Sequence, residues 1–324
     1  MRKSCFDMVH VLAKRDPRVV YIGSDPGAGT ADSMRKEFPE RFFIEGISEA
    51  HVIGMSAGMA FEGYVPYVNT IATFITRRCF EQVAVDLCLH SLPVRLIGNG
   101  GGLVYAPLGP THVAMEDIAI MRALPNMTIV CPTDAEEMKR FMERTLDWPQ
   151  PIYIRLGKGG DPVTSQPDEG FEIGRAIVKR DPGQVVIVTT GIMVHHVLGA
   201  AKLLAARGIR CGIAHFHTVK PLDQKTLVDL ASGVDAVVSV EEHTRVGGLG
   251  SAVLECLADR LAVPKPVLRL GLPDRFTHNY GSQDSLLKHY GLDAEGIAAA
   301  IERFVAAPNV PPSPAASMPS LEHI

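Results

Sequence analysis

Several short segments of this chain carry residues whose types and spacing could support chemistry, and the first contains a glutamate. Glu49 follows Gly46-Ile47-Ser48 and precedes a run of small and apolar residues at 54–60. This run predicts a helix that begins near Glu49, with Ser48 as a suitable N-cap residue. The carboxylate is then either an acidic residue favoured by the helix dipole, or a positioned and partly desolvated group for proton chemistry on a bound ring.

The second segment, 70–78, combines an aromatic side chain with two adjacent basic ones. Phe74 lies where a strand is expected to turn into a helix. Its ring is either part of the core or stacks on a flat heteroaromatic ligand. Arg77 and Arg78 are either ordinary surface residues or a basic pair that binds a phosphate or carboxylate group.

The third segment is rich in glycine. Residues 98–102 read Gly-Asn-Gly-Gly-Gly, and Gly-Pro-Thr-His follows at 109–112. Glycines after a strand, at the carboxyl edge of a sheet, allow a ligand to approach the backbone closely. His112 is either hydrogen-bonded within its loop or acts as a proton shuttle that faces the substrate.

A fourth segment joins Glu-Glu-His at 241–243 to the glycines of 247–250. A glycine-rich turn between a strand and a helix could bind phosphate, but this spacing is not that of a dinucleotide-binding loop. We therefore expect the segment to serve packing. His195 and His196 have no metal partner in view, and no metal site is predicted in this chain.

The elements that must position these residues alternate between strands and helices. Short apolar runs predict strands at 19–23, 42–44, 94–97, 127–130 and 152–155. Helical patterns lie near 49–62, 75–90, 115–123 and 134–146. Strands separated by helices of this length predict a parallel sheet that is covered by helices on both faces.

A second, smaller α/β unit follows the first. It is predicted to contain strands at 185–191, 209–214, 234–240 and 267–270, and a helix at 200–207. We predict a first domain over 1–157, a linker rich in turn-forming residues over 158–183, and a second domain over 184–306. The proline-rich segment 307–324 is predicted to be a flexible tail.

Composition excludes several classes of function. The chain has 324 residues, a net charge of −4 and a sequence pI near 6.3. Neither nucleic-acid binding nor membrane-surface binding is expected, because both need a basic stripe. No apolar run reaches the length of a membrane span, and the N-terminus lacks the pattern of a secretory signal. The six cysteines form no metal-binding or disulfide pattern, so we expect reduced thiols in a cytoplasmic protein.

Together these segments resemble the small, C-terminal subunit of a split transketolase, over almost the whole chain to about residue 305. Gly-Ile-Ser-Glu at 46–49 resembles the glutamate motif of that family, and Thr73-Phe74 its pyrimidine-stacking motif. Gly-Pro-Thr-His at 109–112 resembles its substrate-histidine motif, and 218–223 the signature of its C-terminal domain. Each motif is weak by itself, but their order and spacing are highly specific.

The resemblance implies a role for each matched position. Glu49 would hydrogen-bond the aminopyrimidine ring of thiamine diphosphate and so help to activate the cofactor, while Phe74 would stack on that ring. Asp25 would lie close to the cofactor, together with Arg77. His112 would face substrate oxygens, and Arg155, at a strand end, would bind a substrate anion.

A missing motif implies a partner chain. Family members bind the diphosphate and Mg²⁺ with a separate domain, marked by Gly-Asp-Gly and a downstream asparagine; this chain has neither. We therefore expect a partner subunit that carries the diphosphate site and most of the Mg²⁺ coordination. The active site would lie between the two chains, in an α2β2 assembly.

Two departures from the family bear on the substrate. Transketolases usually have an acidic residue four positions before the motif histidine, where this chain has Leu108. They also have a histidine near the start of that loop, where Asn99 stands here. Because leucine accepts no hydrogen bond, we predict a less hydroxylated or differently shaped substrate than the usual sugar phosphates.

The resemblance leaves three functions open. The first is transfer of a two-carbon ketol unit from a ketose donor to an aldehyde. The second is that of a decarboxylating carboligase similar to deoxyxylulose-phosphate synthases, or of a 2-oxo-acid dehydrogenase β subunit. The segment 74–77 looks more like the synthases, whereas the loop at 109–112 fits the transketolases better. The third is a non-catalytic scaffold that only supports its partner.

Overall fold

The computed structural model describes residues 1–24 and 31–307. Twelve strands are found in these residues, nine of them where the apolar runs predict a strand, and most are separated by helices. The strands are β1 Val19–Gly23, β2 Phe42–Ile44, β3 Val65–Ile71, β4 Arg95–Asn99, β5 Thr128–Val130, β6 Ile152–Arg155, β7 Ile177–Arg180, β8 Val185–Thr189, β9 Cys211–His215, β10 Thr218–Lys220, β11 Ala236–Thr244 and β12 Val267–Leu272.

Eleven α-helices are found in the same residues. They are α1 Arg2–Arg15, α2 Asp32–Glu37, α3 Glu49–Phe61, α4 Phe80–Gln82, α5 Asp117–Arg122, α6 Ala135–Met142, α7 Met193–Ala206, α8 Gln224–Ser232, α9 Leu249–Arg260, α10 Gln283–His289 and α11 Ala294–Ala306. Short 3-10 turns occur at Pro39–Arg41, Ala106–Leu108 and Pro167–Glu169. The segment predicted as one helix over 75–90 is helical but irregular, with wide π-helical turns at Phe74–Arg78 and Val83–Cys88 on either side of α4.

The first sheet has the strand order β10-β5-β6-β4-β3-β1-β2. Its strands run parallel except β10, which pairs antiparallel with β5. Since β10 comes from the second half of the chain, the prediction of a purely parallel first sheet was incomplete. Strand β3, central and buried, was not predicted, because Pro66 and the polar pair Asn69 and Thr70 interrupt its apolar pattern.

The second sheet has the order β12-β11-β8-β9-β7. Strands β12, β11, β8 and β9 are parallel, and β7 pairs antiparallel with β9. Strand β7 lies inside the segment 158–183, which was predicted to be a linker. The alternating burial of β7, typical of an edge strand, gives a weaker apolar signal than the buried central strands. The chain therefore forms two α/β units with mostly parallel sheets flanked by helices.

Candidate active site

Glu49 is the first residue of α3 and is almost fully buried, with 4% of its surface exposed. Its Oε2 accepts a hydrogen bond from Nη1 of Arg78 at 2.8 Å, and its Oε1 lies 3.4 Å from the Ser24 hydroxyl. Ser48 occupies the N-cap position, but its hydroxyl donates to the Glu45 carbonyl at 2.8 Å instead of capping the helix. The carboxylate is thus held at the carboxyl edge of the first sheet, where parallel α/β sheets bind ligands.

Phe74, Arg78 and His112 meet directly beside this carboxylate. The Arg78 guanidinium carbon lies 4.0 Å from the centre of the Phe74 ring, within range of a cation–π contact. The His112 ring meets Phe74 edge to face, with 5.3 Å between ring centres. Because the wide π-helical turn carries both Phe74 and Arg78, the ring and the cation reach the same place from one short segment.

Arg78 contacts the central carboxylate, although the sequence pointed to its neighbour. Arg77 was expected beside the cofactor, but Arg77 pairs with Glu116 at 3.0 Å and donates to the Thr111 carbonyl at 3.2 Å. Arg77 therefore holds the loop that carries His112. The doublet was visible in the sequence, but only the turn of the backbone decides which of its members reaches Glu49.

A second polar group lies at the ends of the neighbouring strands. The Asn99 amide donates to the Asn69 side-chain oxygen at 2.5 Å, and the Asn69 amide donates to the Tyr21 hydroxyl at 3.0 Å. The side-chain oxygen of Asn99 is buried and has no hydrogen-bond partner within the described part of the chain. A buried polar atom without a partner costs about 1–3 kcal/mol, so this oxygen is suited to accept a hydrogen bond from a ligand.

Leu108 is half exposed and lines a cavity of about 230 Å³ next to the glycine-rich loop. The charged lining residues of this cavity are Arg2 and Lys158, and none of its described lining residues is acidic. The cavity therefore combines an apolar wall with two exposed basic side chains. Arg2 and Lys158 were not singled out from the sequence, because they lie more than 150 residues apart in the chain and only folding places them together.

Arg155, predicted to bind a substrate anion, is committed to contacts inside the protein. Its guanidinium pairs with Asp117 through Nε at 2.7 Å and Nη2 at 3.1 Å, and both side chains are buried. Nη2 also donates to the carbonyls of Ala114 and Glu242, which belong to different domains. This geometry favours a structural role at the domain junction, and a direct role in substrate binding stays a prediction.

The fourth segment, expected to serve packing, is a buried polar cluster on that junction. Oε1 of Glu242 accepts hydrogen bonds from the Leu103 backbone and from the Gln283 amide, each at 2.8 Å. The backbone amides of Leu249 and Gly250 donate to Glu241. Burial raises the pKa of both Glu241 and Glu242 to about 7, and it lowers the pKa of His243 to about 4. The cluster ties the second domain to the loop that leads towards His112.

Two predicted features lie outside the described residues: Asp25 and almost all of the proline-rich tail. Within 1–24 and 31–307, no group of three or more His, Cys, Asp or Glu side chains is arranged to hold a metal ion. In those same residues no helix is long and apolar enough to cross a membrane.

Comparison with known proteins assigns this architecture to a family. Residues 1–160 match the transketolase pyrimidine-binding domain, and residues 174–297 match the transketolase C-terminal domain. The chain is 35% identical over 306 residues to a subunit of the apulose-4-phosphate transketolase of Phocaeicola vulgatus, covering 94% of this chain and 97% of that protein. It therefore belongs to the transketolase family and comprises the pyrimidine-binding and C-terminal domains.

Two further relatives define its place within that family. A solved structure described as a split-gene transketolase, inactive β4 tetramer, superposes with a TM-score of 0.84 at 36% identity, covering 93% of this chain and 96% of the other. The 1-deoxy-D-xylulose-5-phosphate synthase 1 of Geobacter sulfurreducens is 38% identical over 316 residues, 96% of this chain but 49% of the synthase. This chain therefore corresponds to one subunit of a split transketolase and to about half of a synthase.

Proposed function

We propose that this chain is the cofactor-activating subunit of a thiamine-diphosphate-dependent transketolase that is completed by a partner subunit. The reaction is transfer of a two-carbon ketol unit from a ketose-type donor to an aldehyde acceptor. The observation that carries the proposal is the arrangement of one buried carboxylate, Glu49, beside the half-buried ring of Phe74 at the carboxyl edge of the sheet.

The residues present fit an aminopyrimidine ring. The Arg78 guanidinium is a flat nitrogen group that lies over the Phe74 ring and donates to Glu49. A protonated or imino-form aminopyrimidine offers two similar properties, a flat face that can stack on Phe74 and a ring N–H that can donate to a carboxylate. Because the Arg78 side chain is 44% exposed, it can swing outwards, and the aminopyrimidine would then replace it as the partner of the buried Glu49 carboxylate.

When bound, thiamine diphosphate supplies a carbanion that can attack the donor ketone. Glu49 would hydrogen-bond the pyrimidine ring nitrogen and hold a proton on it, which favours the imino form of the amino group. Phe74 would fix the plane of that ring. Burial strengthens both contacts, because water does not compete for a carboxylate that is almost fully enclosed.

The substrate would occupy the space between His112 and the Arg2–Lys158 cavity. His112 would donate a hydrogen bond to a substrate oxygen, since its Nδ1 lies 2.8 Å from the Thr111 hydroxyl and this contact orients its ring. The unpartnered oxygen of Asn99 would accept a substrate hydroxyl. Arg2 and Lys158 would neutralise an anionic group at the far end of the substrate, and the exposed Leu108 disfavours a hydroxyl beside it.

A partner subunit is needed to hold the diphosphate. In the residues that the structure describes, no group of three or more His, Cys, Asp or Glu side chains is arranged to hold a metal ion. The name of the Phocaeicola vulgatus relative describes it as one subunit of a transketolase, which supports a division of the site between two chains. We propose an α2β2 assembly in which the partner holds Mg²⁺ and the diphosphate. The six cysteines are free and buried, in keeping with the predicted cytoplasmic location.

A second candidate function is a decarboxylating carboligase. It is favoured by identities of 38–40% to several 1-deoxy-D-xylulose-5-phosphate synthases and by the apolar Leu108 at the substrate loop. Two other functions stay open because they are compatible with the same fold: that of a 2-oxo-acid dehydrogenase β subunit and that of a non-catalytic scaffold. A ketose donor supports the transketolase function, whereas release of CO₂ from pyruvate supports the carboligase.

The test is to co-purify the chain with the product of the neighbouring gene and to measure thiamine-diphosphate binding and donor turnover. We expect binding only in the complex and a loss of about 10²–10⁴-fold in kcat for Glu49→Ala and Glu49→Gln. Glu62→Ala, at the other end of α3 and exposed, is the matched control and should keep full activity. Tight binding by this chain alone would refute the split site, and unchanged turnover in both Glu49 variants would leave only the scaffold function.

A further inference from the structure

A cleft with a volume of about 680 Å³ lies at the junction of the two domains. The first domain contributes Arg144 and Trp148, the segment between the domains contributes Phe171, and the second domain contributes Arg175 and His217. None of its lining residues borders the Arg2–Lys158 cavity. None borders the separate groove that is lined by Arg77, Glu116 and Phe276. The volume is typical of a small-molecule site, and the catalytic residues proposed above do not use it.

His217 lies on the buried wall of this cleft, fully enclosed and stacked on Phe171 with 3.9 Å between ring centres. Its Nδ1 lies 2.9 Å from the Thr218 hydroxyl oxygen, which also accepts a hydrogen bond from the Gly174 amide at 3.0 Å. The Thr218 hydroxyl can therefore donate to Nδ1 or accept from it, and the first arrangement places the proton of the neutral imidazole on Nε2.

The Nε2 atom of His217 is buried and has no hydrogen-bond partner among the residues that the structure describes. Burial, followed by the nearby His215, lowers the pKa of His217 to about 3, so the ring is neutral at physiological pH. A buried N–H without a partner is costly, and an oxygen atom of a ligand would relieve that cost.

The charged residues around the cleft favour an anion. The guanidinium of Arg144 is anchored by a hydrogen bond from Nε to the Phe171 carbonyl at 3.2 Å, and Arg175 is exposed on the opposite segment. Of the two acidic lining residues, Glu169 is neutralised by Lys179, whose Nζ lies 2.5 Å from its carboxylate. Glu172 is exposed, and against the two arginines it leaves an excess of one positive charge.

We propose that this junction cleft is a second ligand site, which binds a small organic anion through a phosphate or carboxylate group. The anion would accept the Nε2–H of His217 and pair with Arg144 and Arg175, while Trp148 would cover its organic part. Because the lining comes from both domains, a bound anion would stabilise the domain junction. The inference is independent of the proposed function, since no residue of the catalytic edge takes part.

Intrinsic tryptophan fluorescence can report on this site, because Trp148 lines the cleft and is the single tryptophan of the chain. The full chain would be titrated with inorganic phosphate and, separately, with succinate, at constant ionic strength, while tryptophan fluorescence is recorded. We expect a saturable change for at least one of them. The stronger of the two identifies the anionic group that the cleft prefers.

Three variants make the result decisive. Arg175→Ala should weaken binding at least about tenfold, the scale for loss of one charged hydrogen bond. Arg140→Ala is the matched control, because Arg140 donates to the Gly170 carbonyl from the same side of the molecule but does not line the cleft; its affinity should stay within about twofold. Lys158→Ala removes a basic side chain from the Arg2–Lys158 cavity at the catalytic edge. This variant should leave the affinity of the junction cleft for the anion unchanged. A change that does not saturate, that persists in Arg175→Ala or that disappears in Lys158→Ala would overturn the proposal.

Discussion

Replacing Arg155 by methionine should lower the free energy of unfolding by about 3–5 kcal/mol, the usual cost of leaving a buried charge without its partner. The Asp117 side chain is completely buried, and the Arg155 side chain is 7% exposed. Removal of the guanidinium takes two hydrogen bonds from Asp117 and leaves it the Tyr153 hydroxyl, at 2.7 Å. The two carbonyls of different domains that Arg155 bridges also lose a donor.

The pH dependence of stability follows from the same pair. Burial by itself would raise the pKa of Asp117, but the charge and hydrogen bonds of Arg155 turn the net shift downwards. An acid with a lowered pKa in the folded state stabilises the protein above its unfolded pKa, and this stabilisation is lost as the pH falls through the folded pKa. Without Arg155 the pKa of Asp117 should rise, so the variant should become less stable as the pH increases from about 4 towards 7.

Urea denaturation, followed by circular dichroism and by the fluorescence of Trp148, measures this effect. Arg207→Met is the matched control, because Arg207 makes an ion pair of 2.6 Å with Glu302 but both side chains are more than 40% exposed. We expect the control to lose less than about 1 kcal/mol. A double variant with Asp117→Asn should recover part of the loss of Arg155→Met, because it removes the unpaired charge.

The result that refutes this reasoning is a small stability change in Arg155→Met, comparable with that of Arg207→Met. If the same variant then raised KM for an anionic substrate at unchanged stability, Arg155 would be the substrate ligand that the family resemblance implies. A large loss of stability, with KM unchanged at temperatures where the variant is folded, supports the structural role.

Three further predictions concern the neighbourhood of the active site. Gly102→Ala should destabilise the protein by more than about 1 kcal/mol, because Gly102 has φ +64° and an added Cβ would overlap the Glu242 carboxyl group. Thermal melts measure this loss. Gly63→Ala is the control in the same melts, because Gly63 has φ +90° but open space around it and so reports the backbone strain without the overlap. Glu242→Gln should flatten the loss of stability between about pH 5 and pH 7. Burial raises the pKa of Glu242 to about 7, and an acid with a raised pKa favours the folded state less as the pH rises through that interval. Denaturation at several pH values measures the slope of stability against pH, and an unchanged slope would contradict the prediction. Arg78→Ala should increase the affinity of the complex for thiamine diphosphate, because Glu49 no longer has to exchange a guanidinium for the cofactor. Calorimetric titration measures this affinity. A weaker affinity would instead make Arg78 part of the cofactor site.

Much of the fold could be predicted from local pattern. The strands at 19–23, 42–44 and 152–155 have the predicted bounds, because each is a short apolar run that is paired in a sheet. Helix α3 begins at Glu49 as predicted. By contrast, β3 contains a proline and polar residues, and its pairing with β1 and β4 on both sides decides its conformation. Strand β10 is only three residues long and is defined by its partner in the other domain.

The candidate site likewise contains some residues that the sequence could identify and others that it could not. The sequence alone was sufficient to single out Glu49, Phe74 and His112, because motifs at fixed spacing record which residue types are needed along the chain. It could not distinguish Arg77 from Arg78, whose directions depend on one wide helical turn. Nor could it identify Lys158, which acquires its neighbours only through folding.

The sequence thus determined the family and the two α/β units, and it singled out Glu49 as the candidate carboxylate, since these depend on periodicity and motifs that are local along the chain. The tertiary structure decided which charges are paired. Arg155, at the end of a strand, was predicted to face a substrate, yet it lies against Asp117 and bridges two domains. His217 was not singled out from the sequence, yet it lies at a junction cleft with a ring nitrogen that has no hydrogen-bond partner among the described residues. The physical reason is that burial and hydrogen-bond partners are contributed by residues far apart in the chain, so that no local pattern encodes them.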